Sequence, residues 1–379
     1  MKIILAPDKF KGSLTAFEVC EAMEAGIRGV LPNATVLSFP LADGGDGFGA
    51  TLKHYLHTQT VPTQTVDPLG RPFAASYEWS EDKATAVVEL AAASGLVLLH
   101  PNERNPLLTS TYGTGLQIRD AIGRGAHTLL LGLGGSATND AGTGILAALG
   151  FRFFDAAGAT LVPCGGNLHA IERVEVPAAL PTAHWIIACD VNNPLHGANG
   201  AAFVYAPQKG ADAAMVQQLD EGLRHFERVI NRYATAPVGA IPGTGAAGGV
   251  VAGLLPWLNP AVVSGIDLVM EASGLEQALP GADLLLTGEG KLDNQSLQGK
   301  VVGPLAALGR KHKVPVAAVC GIAEADVAQL QQAGISRVVQ LLQPGRTAGY
   351  CMEHARRLVT EETAGLLRAA GNAAARQGT

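Results

Sequence analysis

Glycine and hydroxyl residues near the middle of the chain have the types and spacing of a phosphate-binding turn. The apolar run Leu129–Leu131 leads into Gly132–Asp140, a segment that holds three glycines, Ser136 and Thr138. Glycines allow positive φ angles and bring backbone N–H groups close to a ligand, and such groups at a helix start suit phosphate oxygens. The pattern predicts a buried strand, a tight turn and a helix from Ala141 to Leu149.

This segment also has a plainer interpretation. The spacing Gly132-x-Gly134-x-x-Ala137 fits a loose dinucleotide fingerprint, but that pattern by itself is weak. A glycine-rich turn between a strand and a helix can bind no ligand at all. The segment Gly243–Gly248 contains G-x-G-x-x-G, yet the residues before it do not have the pattern of a strand. That second match is therefore not expected to bind a dinucleotide.

Charged and amide side chains follow other predicted strands. They lie in the segments Asp8–Ser13, Asp43–Gly47, Asp190–Asn193 and Thr287–Lys291. Ligands of open α/β sheets bind at the carboxyl ends of the strands, so these segments are expected to meet at one site. Solvated loop lysines are the alternative for the first segment, and a turn rich in Asp and Gly is the alternative for the second.

Backbone donors, lysines and carboxylates in one cleft would suit phosphoryl transfer. That reaction needs the γ-phosphate held, its charge neutralised by Mg²⁺ and lysine, and an acceptor hydroxyl oriented in line. The chain has no G-x-x-x-x-G-K-[ST], because Gly290-Lys291 and Gly299-Lys300 are followed by Leu and Val. It also lacks the H-R-D and D-F-G motifs of protein kinases. A nucleotide site is therefore expected to belong to neither class.

Composition predicts a cytoplasmic enzyme of two domains. The 379 residues exceed one ordinary domain, and 47 glycines in tight loops suit an enzyme better than a flexible linker protein. A net charge of −6 without a basic cluster argues against nucleic-acid binding. The five cysteines form no C-x-x-C and the ten histidines form no H-E-x-x-H. These patterns indicate reduced thiols and argue against zinc.

No segment predicts a membrane partner. The apolar run at the N-terminus is too short for a signal peptide. Tyr233–Ile266 contains no charged side chain that would exclude a membrane span, but four prolines and seven glycines interrupt it. It therefore lacks a span of about 20 apolar residues, and a buried loop with a short helix is expected there.

Periodicity predicts β–α units at both ends of the chain and a different pattern between them. The predicted strands of the ends are Ile3–Ala6, Thr35–Leu41, Asp283–Leu286, Val316–Val319 and Arg337–Leu342. In the middle, Val61–Trp79 alternates around a turn at Asp67–Arg71, which predicts antiparallel strands. Further elements are expected there, namely strands at Ala86–Leu90 and His184–Asp190 and an amphipathic helix at Ala211–Tyr233.

The order of these elements predicts an α/β protein of two domains. Residues 1–60 plus 265–379 would form one doubly wound domain, and residues 61–264 would form an inserted α/β domain. The pattern leaves open which of the two sheets takes the strands near residues 129 and 186.

Taken together, these segments resemble the bacterial type I glycerate kinases. The matching segments are APDKFKGSLTA (Ala6–Ala16), ADGGDG (Ala42–Gly47), DPLGR (Asp67–Arg71), ELAAASGL (Glu89–Leu96), GLGGSATNDAGTG (Gly132–Gly144), CDVNNPL (Cys189–Leu195), PQKGAD (Pro207–Asp212), PGTGAAGG (Pro242–Gly249) and TGEGKLDNQS (Thr287–Ser296). The likeness runs through nearly the whole chain in the same order, so it is specific where each motif alone is not.

The resemblance implies phosphorylation of D-glycerate by ATP with Mg²⁺, giving 2-phosphoglycerate. It also implies one flavodoxin-like, doubly wound parallel-sheet domain and one inserted mixed-sheet domain, with the active site in the cleft between them. Two positions depart from the family pattern. Asp46 stands where Glu is usual, and Lys291 stands where Arg is frequent. Both keep their charge, although Lys cannot bind a carboxylate in the bidentate way that Arg does.

Residue chemistry then assigns hypothetical roles. Asp190 is the predicted base or orienter of the glycerate hydroxyl, Asn192 its hydrogen-bonding partner, and Lys11 the cation that offsets developing charge. The predicted substrate-binding residues are Asp8, Ser13, Asp43, Gly44, Arg71 and Asn193. The predicted nucleotide-binding residues are Gly134, Gly135, Ser136, Thr138, Asn139 and Lys291. The predicted metal ligands are Asp46 and Glu289, together with Asp43. For each carboxylate, a turn or helix-cap hydrogen bond is the structural alternative.

Two other functions remain open at this stage. A glycerate 3-kinase would use the same loops, because loops do not specify which hydroxyl faces ATP. A nucleotide- or flavin-binding regulatory module would bind without turnover, although the scarcity of aromatic residues near the loops disfavours flavin. D-glycerate and ATP are the expected partners, and neither nucleic acid nor a membrane is expected. The sequence leaves the oligomeric state open, with a homodimer as the alternative to a monomer.

Overall fold

The structure is a computed structural model that describes residues 1–44, 47–293, 296 and 301–377. Its contacts group into two compact units. The outer unit comprises Met1–Asp43 and Ser264–Thr379, and the inserted unit comprises Gly44–Val263. The domain boundaries expected near residues 60 and 265 stay a prediction, because contacts within one chain do not show which segments fold independently.

Strands occur throughout the described parts of both units. In chain order they are β1 (Lys2–Leu5), β2 (Thr35–Ser38), β3 (Gln59–Val66), β4 (Pro72–Ser80), β5 (Thr85–Glu89), β6 (Thr128–Gly132), β7 (Arg152–Phe154), β8 (Thr160–Leu161), β9 (Arg173–Glu175), β10 (His184–Ala188), β11 (Ala261–Val263), β12 (Leu284–Leu292), β13 (Val316–Ala323) and β14 (Ile335–Gln340).

The α-helices of the described residues alternate with these strands. In chain order they are α1 (Ala16–Arg28), α2 (Phe48–Leu56), α3 (Ala91–Ser94), α4 (Tyr112–Gly123), α5 (Thr143–Ala148), α6 (Ala201–Tyr205), α7 (Ala213–Ile230), α8 (Val250–Leu258), α9 (Gly265–Ser273), α10 (Leu275–Ala278), α11 (Val302–His312), α12 (Val327–Ala333), α13 (Ala348–Glu353) and α14 (Ala355–Gln377). No described helix combines the length and apolar character needed to cross a membrane.

The outer unit contains a five-stranded, wholly parallel sheet in the order β2-β1-β12-β13-β14. Counted along this unit alone, the order is the 2-1-3-4-5 arrangement of flavodoxin-like folds, which confirms the predicted doubly wound sheet. Strands covered on both faces need continuous apolar side chains, and Ile3, Ile4 and Leu5 are accordingly fully buried. The winding direction reverses between β1 and β12, so the loops after these two strands flank the switch point.

Helix α1 begins and packs as its sequence dictates. Thr15 accepts the backbone N–H of Glu18, whose carboxylate in turn accepts the backbone N–H of Thr15. This reciprocal cap satisfies two donors at the start of the helix. A Cβ built on Gly26 would lie 2.4 Å from the carbonyl oxygen of Thr360. The absence of a side chain at Gly26 therefore allows α1 to meet α14 at backbone distance.

The inserted unit contains a mixed sheet of six strands in the order β11-β10-β6-β5-β4-β3. Its first four strands are parallel, and β4 and β3 are antiparallel. The strands near residues 129 and 186, whose sheet the sequence left open, are thus β6 and β10 of this sheet. The mixed character of the inserted unit is confirmed. A small sheet, β8-β7-β9, accompanies it.

The predicted antiparallel hairpin is the pair β3 and β4. Asp67 Oδ1 accepts the backbone N–H groups of Leu69 and Arg71, both at 2.9 Å, and so closes the turn between the strands. An aspartate that bonds its own following backbone is a common way to build such a turn. The DPLGR segment is therefore explained by turn formation.

The glycine-rich stretch Thr287–Lys291 was expected as a loop, and that expectation is wrong. It lies in the second half of β12, which stays paired with β13 as far as Leu292 and Ala323. A Cβ on Gly321 would lie 2.4 Å from the carbonyl oxygen of Gly290. Glycine usually weakens a strand interior, but it also marks positions where another backbone approaches closely. Here the second effect decides the structure.

The uncharged stretch Tyr233–Ile266 contains the expected short helix, α8, and one strand that was not expected. That strand, β11, pairs with β10 at the edge of the inserted sheet. Three residues that directly follow Pro260 carry too little periodicity to be identified from sequence. Backbone hydrogen bonds to β10 hold this short segment as a strand.

Helix α8 provides a test of this close packing between backbones. A Cβ built on Gly253 would lie 1.7 Å from the carbonyl oxygen of Ala141, so Gly253→Ala should force the helix away from that segment. We expect a loss of roughly 2 kcal/mol or more in the free energy of unfolding. The measurement is urea unfolding followed by circular dichroism.

The matched control is Gly123→Ala, at the last residue of α4 in the same unit. A Cβ there meets no atom within 4 Å, so this variant should gain up to about 1 kcal/mol from helix propensity. Equal unfolding midpoints for the two variants would contradict the packing argument.

Candidate functional site

Parallel pairing places three strand ends of the inserted unit at one edge of its sheet. Glu89 of β5 pairs with Gly132 of β6, and Gly132 pairs with Ala188 of β10. Parallel neighbours end at the same edge, so the loops after these strands leave the sheet side by side. The glycine-rich segment and Asp190 therefore follow adjacent strands in register, as their predicted common role requires.

The segment Gly134–Ala137, called the glycine turn below, is held by backbone hydrogen bonds from one side. The N–H of Leu96 donates to the Gly135 carbonyl oxygen, and the N–H of Ala137 donates to the Ser94 carbonyl oxygen, both at 2.9 Å. Gly135 takes a φ of 71°, which favours glycine. Gly134 and Gly135 are exposed and Ser136 is half-buried. The turn thus presents its glycines to solvent while its far side is fixed.

Two predicted nucleotide-binding residues, Thr138 and Asn139, lie below this turn and are fully buried. Within the part of the chain that the structure describes, Thr138 Oγ1 and both polar atoms of the Asn139 amide have no hydrogen-bonding partner. Burial without a partner costs free energy. Their predicted contact with nucleotide stays a prediction. Both residues directly follow the glycine turn and are buried beneath it.

The start of the following helix is occupied by a side chain of the protein itself. Helix α5 begins at Thr143, and the buried Asp140 carboxylate accepts the backbone N–H groups of Gly142 and Gly144, both at 3.2 Å. It also accepts the N–H of Thr111 at 2.7 Å. Burial raises the pKa of Asp140, against the opposing effect of these donors. The Asp140 carboxylate already uses these N–H groups, and the expected contact of phosphate with this helix start stays a prediction.

The second glycine motif supports the first. No described strand leads directly into Gly243–Gly249, which follows α7 and the 3₁₀ helix Val238–Ala240, so the strand that a dinucleotide fingerprint requires is not found there. The Gly248 carbonyl oxygen accepts the N–H of Ala141 at 3.0 Å, and a Cβ on Gly248 would lie 2.3 Å from the Thr138 carbonyl oxygen. The N–H of Gly245 donates to the Asn193 carbonyl oxygen at 3.0 Å. The motif therefore packs its backbone against both loops of the edge.

The loop after β10 holds exposed and internally bonded polar groups. Asp190 and Asn192 are exposed. Asn193 Oδ1 accepts a hydrogen bond from the Tyr205 hydroxyl at 2.6 Å, and Asn193 Nδ2 donates to the Asn199 carbonyl oxygen at 2.9 Å. The Asn193 side chain therefore shapes the loop, and its predicted contact with substrate stays a prediction.

Sequence reasoning missed two residues of this edge. Glu89 ends β5 beside Gly132 and accepts the N–H of Gly49 at 3.3 Å. A carboxylate near the end of a predicted strand was the signal that identified Asp190, and the same signal was present for Glu89. Lys209 donates from Nζ to Ser136 Oγ at 2.9 Å and to the Thr138 carbonyl oxygen at 2.6 Å. Nothing local in the sequence distinguishes Lys209 from a solvated lysine.

The outer unit forms a charged cluster at the carboxyl ends of β1 and β2. Lys9 Nζ lies 3.3 Å from Asp43 Oδ1 and 3.5 Å from Asp8 Oδ1. Asp8 Oδ1 also accepts the backbone N–H of Lys9 at 2.7 Å. Burial raises the pKa of Asp8 to about 6, although the neighbouring Lys9 acts in the opposite direction. The cluster brings two of the predicted substrate-binding residues together.

The loop between β1 and α1 is a tight turn beside this cluster. Phe10 and Leu14 exchange backbone hydrogen bonds across it, and Gly12 takes a φ of 79°. Lys11 is exposed at the tip, and Ser13 Oγ donates to the Phe10 carbonyl oxygen at 3.0 Å. The structure thus leaves the Lys11 ammonium accessible while Ser13 closes the turn.

The remaining predicted site residues have different surroundings. Glu289 is buried on β12, next to β1 in the outer sheet. Lys291, on the same strand, is half-exposed and lies 2.9 Å from the Glu324 carboxylate. Arg71 contacts the carboxylates of Asp67 and Glu103. Gly44 takes a φ of 84°, and Asp46 lies outside the described residues.

The Arg71 guanidinium is paired with two carboxylates of the protein itself. Two carboxylates use its donors, and both belong to the turn and 3₁₀ segments around it. Its predicted contact with substrate stays a prediction. Across the described residues, no group of three or more His, Cys, Asp or Glu could hold a metal ion.

Comparison with known proteins agrees with the geometry. The profile of the Glycerate kinase family matches residues 3–370. The chain belongs to the glycerate kinase family. It is therefore a kinase that acts on an alcohol group and uses a nucleotide as phosphoryl donor. The motifs that resembled this family from sequence include all three strand ends of the inserted sheet described above.

Individual relatives cover nearly the whole chain. A glycerate kinase of Bacillus cereus is 40% identical over 344 residues, which are 90% of this chain and 90% of the relative. The glycerate 2-kinase of Escherichia coli K12 is 40% identical over 345 residues, 90% of this chain and 91% of the relative. A crystal structure of a Salmonella typhimurium LT2 protein with the provisional name glycerate kinase 2 has a TM-score of 0.86 and 36% identity, covering 100% of this chain and 99% of that one.

The raised pKa of Asp8 predicts a pH-dependent stability. Its folded-state pKa of about 6 lies above the usual unfolded value, so its contribution to folding is fully present below about pH 4 and is lost as pH rises through 6. Asn does not titrate, so the stability of the wild type relative to Asp8→Asn should fall by about 3 kcal/mol across this range. Urea unfolding of both proteins at several pH values checks this. A stability difference that does not change with pH would refute it.

Proposed function

We propose that this kinase phosphorylates D-glycerate at its 2-hydroxyl with ATP and Mg²⁺, giving 2-phosphoglycerate and ADP. Relatives with the names glycerate kinase and glycerate 2-kinase are 40% identical over about nine-tenths of the chain. The observation that carries the proposal is the register of β6 with β10. This register makes an exposed glycine turn and the exposed Asp190 carboxylate follow adjacent strands. The turn could then bind the phosphates while the carboxylate binds the acceptor hydroxyl.

The glycine turn is proposed to receive the phosphates of ATP. Gly134 and Gly135 carry no side chain, and both are exposed. An oxygen atom can therefore approach the backbone closely. Ser136 adds a hydroxyl that can donate a further hydrogen bond. Lys291, half-exposed and paired with Glu324, is proposed to contact nucleotide only if that pair opens.

Asp190 is proposed to accept the proton of the glycerate 2-hydroxyl or to orient that hydroxyl. In-line transfer forms a bond between the hydroxyl oxygen and the γ-phosphorus and breaks the bond to ADP, and the hydroxyl proton passes to the base. An exposed carboxylate at a strand end can perform this step without rearrangement of the core. Asn192, exposed in the same loop, is proposed to hydrogen bond the substrate.

Cationic and acidic groups at the ends of β1 and β2 are proposed to serve the substrate. The exposed Lys11 can offset the negative charge of a carboxylate or of the transferring phosphoryl group. The Asp8–Lys9–Asp43 cluster presents carboxylate oxygens that accept hydrogen bonds from hydroxyl groups. Ser13 and Gly44 are proposed as its neighbours in substrate binding.

Mg²⁺, when bound, would neutralise part of the phosphate charge. It keeps several waters and needs only one or two protein carboxylates. The strand-end carboxylates fit that requirement, because Asp43 is only partly buried and Glu289 is next to the switch point. Glu289 and Asp46 are the proposed ligands, directly or through water, with Asp43 as the alternative.

All five cysteines are free thiols in this structure. Reduced cysteines are typical of cytoplasmic proteins, and we propose that location for a metabolic kinase of this family.

Product identification tests the proposed reaction. After incubation with ATP, Mg²⁺ and D-glycerate, phosphorus NMR should show ADP and a new phosphomonoester. Enolase added without phosphoglycerate mutase should convert that product, because enolase acts on the 2-phosphate and not on the 3-phosphate. A product that enolase leaves unchanged until mutase is added would replace the proposal with a 3-kinase. Nucleotide binding without any product would indicate a regulatory module.

The role of Asp190 predicts a strong kinetic effect. Asp190→Asn keeps the size of the side chain but removes the base, so kcat should fall by roughly 10²-fold or more. Because Asp190 is exposed, the unfolding midpoint should stay at the wild-type value. The matched control is Asp82→Asn, an exposed residue in the turn between β4 and β5, whose kcat should not change. A wild-type rate in Asp190→Asn would remove the assignment.

A further inference from the structure

Lys209 is a buried cation that the proposed reaction has not used. It closes the one-turn 3₁₀ helix Pro207–Lys209, and only 1% of its surface is exposed. Its ammonium donates to Ser136 Oγ at 2.9 Å and to the Thr138 carbonyl oxygen at 2.6 Å. Both acceptors belong to the glycine turn or follow it directly, so the side chain ends underneath the proposed phosphate site.

The backbone that carries Lys209 is itself held in place. The N–H of Lys209 donates to the Ala206 carbonyl oxygen at 2.9 Å. The next residue, Gly210, takes a φ of 95°, and a Cβ there would lie 2.2 Å from the carbonyl oxygen of Arg104. Only glycine permits this approach. The lysine therefore reaches the turn from a rigid anchor.

Burial of this lysine costs stability that packing alone would avoid. Removing an ammonium from water costs several kcal/mol after relaxation, and an apolar side chain of similar volume is often neutral or stabilising. Burial lowers the pKa of Lys209 to about 7, with the charge of Asp140 opposing the shift.

The neighbours of the ammonium add to this cost. Among the described residues, Thr138 Oγ1 and the Asn139 amide are buried without hydrogen-bonding partners. Costly polar groups concentrate where function requires them. The buried polar groups of Lys209, Thr138 and Asn139 lower stability, so a contribution to stability does not explain their presence. Support of the glycine turn next to them does explain it.

We propose that Lys209 is a positioning residue for the phosphoryl donor, which holds the glycine turn in the shape that receives phosphate. One hydrogen bond fixes the Ser136 side chain, and the other fixes the carbonyl group two residues later. Together with the Ser94–Leu96 backbone on the other side, these bonds leave the turn little freedom. A cation behind the turn also favours an anionic ligand in front of it. This inference rests on the proposed function.

The test is Lys209→Met, which keeps the length and volume but can neither donate a hydrogen bond nor carry charge. We expect kcat/KM for ATP to fall roughly 10- to 100-fold, while the KM for D-glycerate stays within about twofold. The urea midpoint should equal or exceed that of the wild type, because the buried charge is gone. Lys83→Met, at an exposed position of the same unit, is the matched control and should keep wild-type kinetics.

A second variant keeps the inference testable if Lys209→Met does not fold. Ser136→Ala removes one acceptor of the ammonium and leaves the buried lysine in place, and it should also lower kcat/KM for ATP. In the double variant the combined loss, expressed as free energy, should be smaller than the sum of the two single losses, since both changes remove the hydrogen bond between Lys209 and Ser136. Ser136→Ala with wild-type ATP kinetics would overturn the inference. So would additive losses in the double variant.

Nucleotide binding separates this inference from the proposed function. Calorimetry with a non-hydrolysable ATP analogue and Mg²⁺ requires no glycerate turnover. If the wild type binds the analogue but forms no phosphoglycerate, the proposed reaction fails, and weaker binding by Lys209→Met still supports the role of Lys209. Wild-type affinity in Lys209→Met would overturn that role. A parallel fall in the urea midpoint, the affinity for ATP and the affinity for glycerate would indicate a purely structural lysine, and would overturn it too.

Discussion

Parallel pairing of β6 with β5 and β10 is the constraint on which the candidate site depends. Because Glu89, Gly132 and Ala188 are aligned across the three strands, the loops that follow begin at one level of the sheet. A slip of two residues between β6 and β10 would separate their loops by about 7 Å. The backbone hydrogen bonds between β6 and β10 do not contact a ligand themselves. They nevertheless decide whether the glycine turn and Asp190 can act on one molecule.

The layer below this edge combines close backbone contacts with buried charge. The segment Gly243–Gly249 meets the backbone of Thr138–Ala141 at distances that only glycine allows, and Asp140 and Lys209 lie in the same region. The Asp140 carboxylate accepts hydrogen bonds from backbone N–H groups and from the Thr111 hydroxyl, whereas the Lys209 ammonium donates to a hydroxyl and to a carbonyl group. Both side chains supply hydrogen-bonding partners to backbone groups outside the sheet, because the backbone of such a turn is not paired with a neighbouring strand.

Much of the architecture could be predicted from sequence because it follows from local patterns. Alternating apolar residues identified the hairpin around Asp67–Arg71, and short apolar runs identified strands at the positions of β6 and β10. Glycine was harder to interpret. The same composition marks an exposed turn at Gly134–Gly135, a close strand contact within Thr287–Lys291 and a packing contact at Gly243–Gly249. Only the neighbour of each glycine tells these uses apart, and that neighbour is distant in sequence.

The sequence by itself determined that the chain is an α/β protein with polar loops at its strand ends, because side-chain periodicity and turn chemistry act over a few residues. It also carried the family motifs in order. The tertiary structure decided which strands are adjacent, which hydroxyls face solvent and which are buried, and that Lys209 lies under the turn. These properties depend on residues far apart in the sequence, such as Lys209 and the turn residues about 70 positions before it. Their contact energies exist only after the sheet has formed, so no local pattern could specify them.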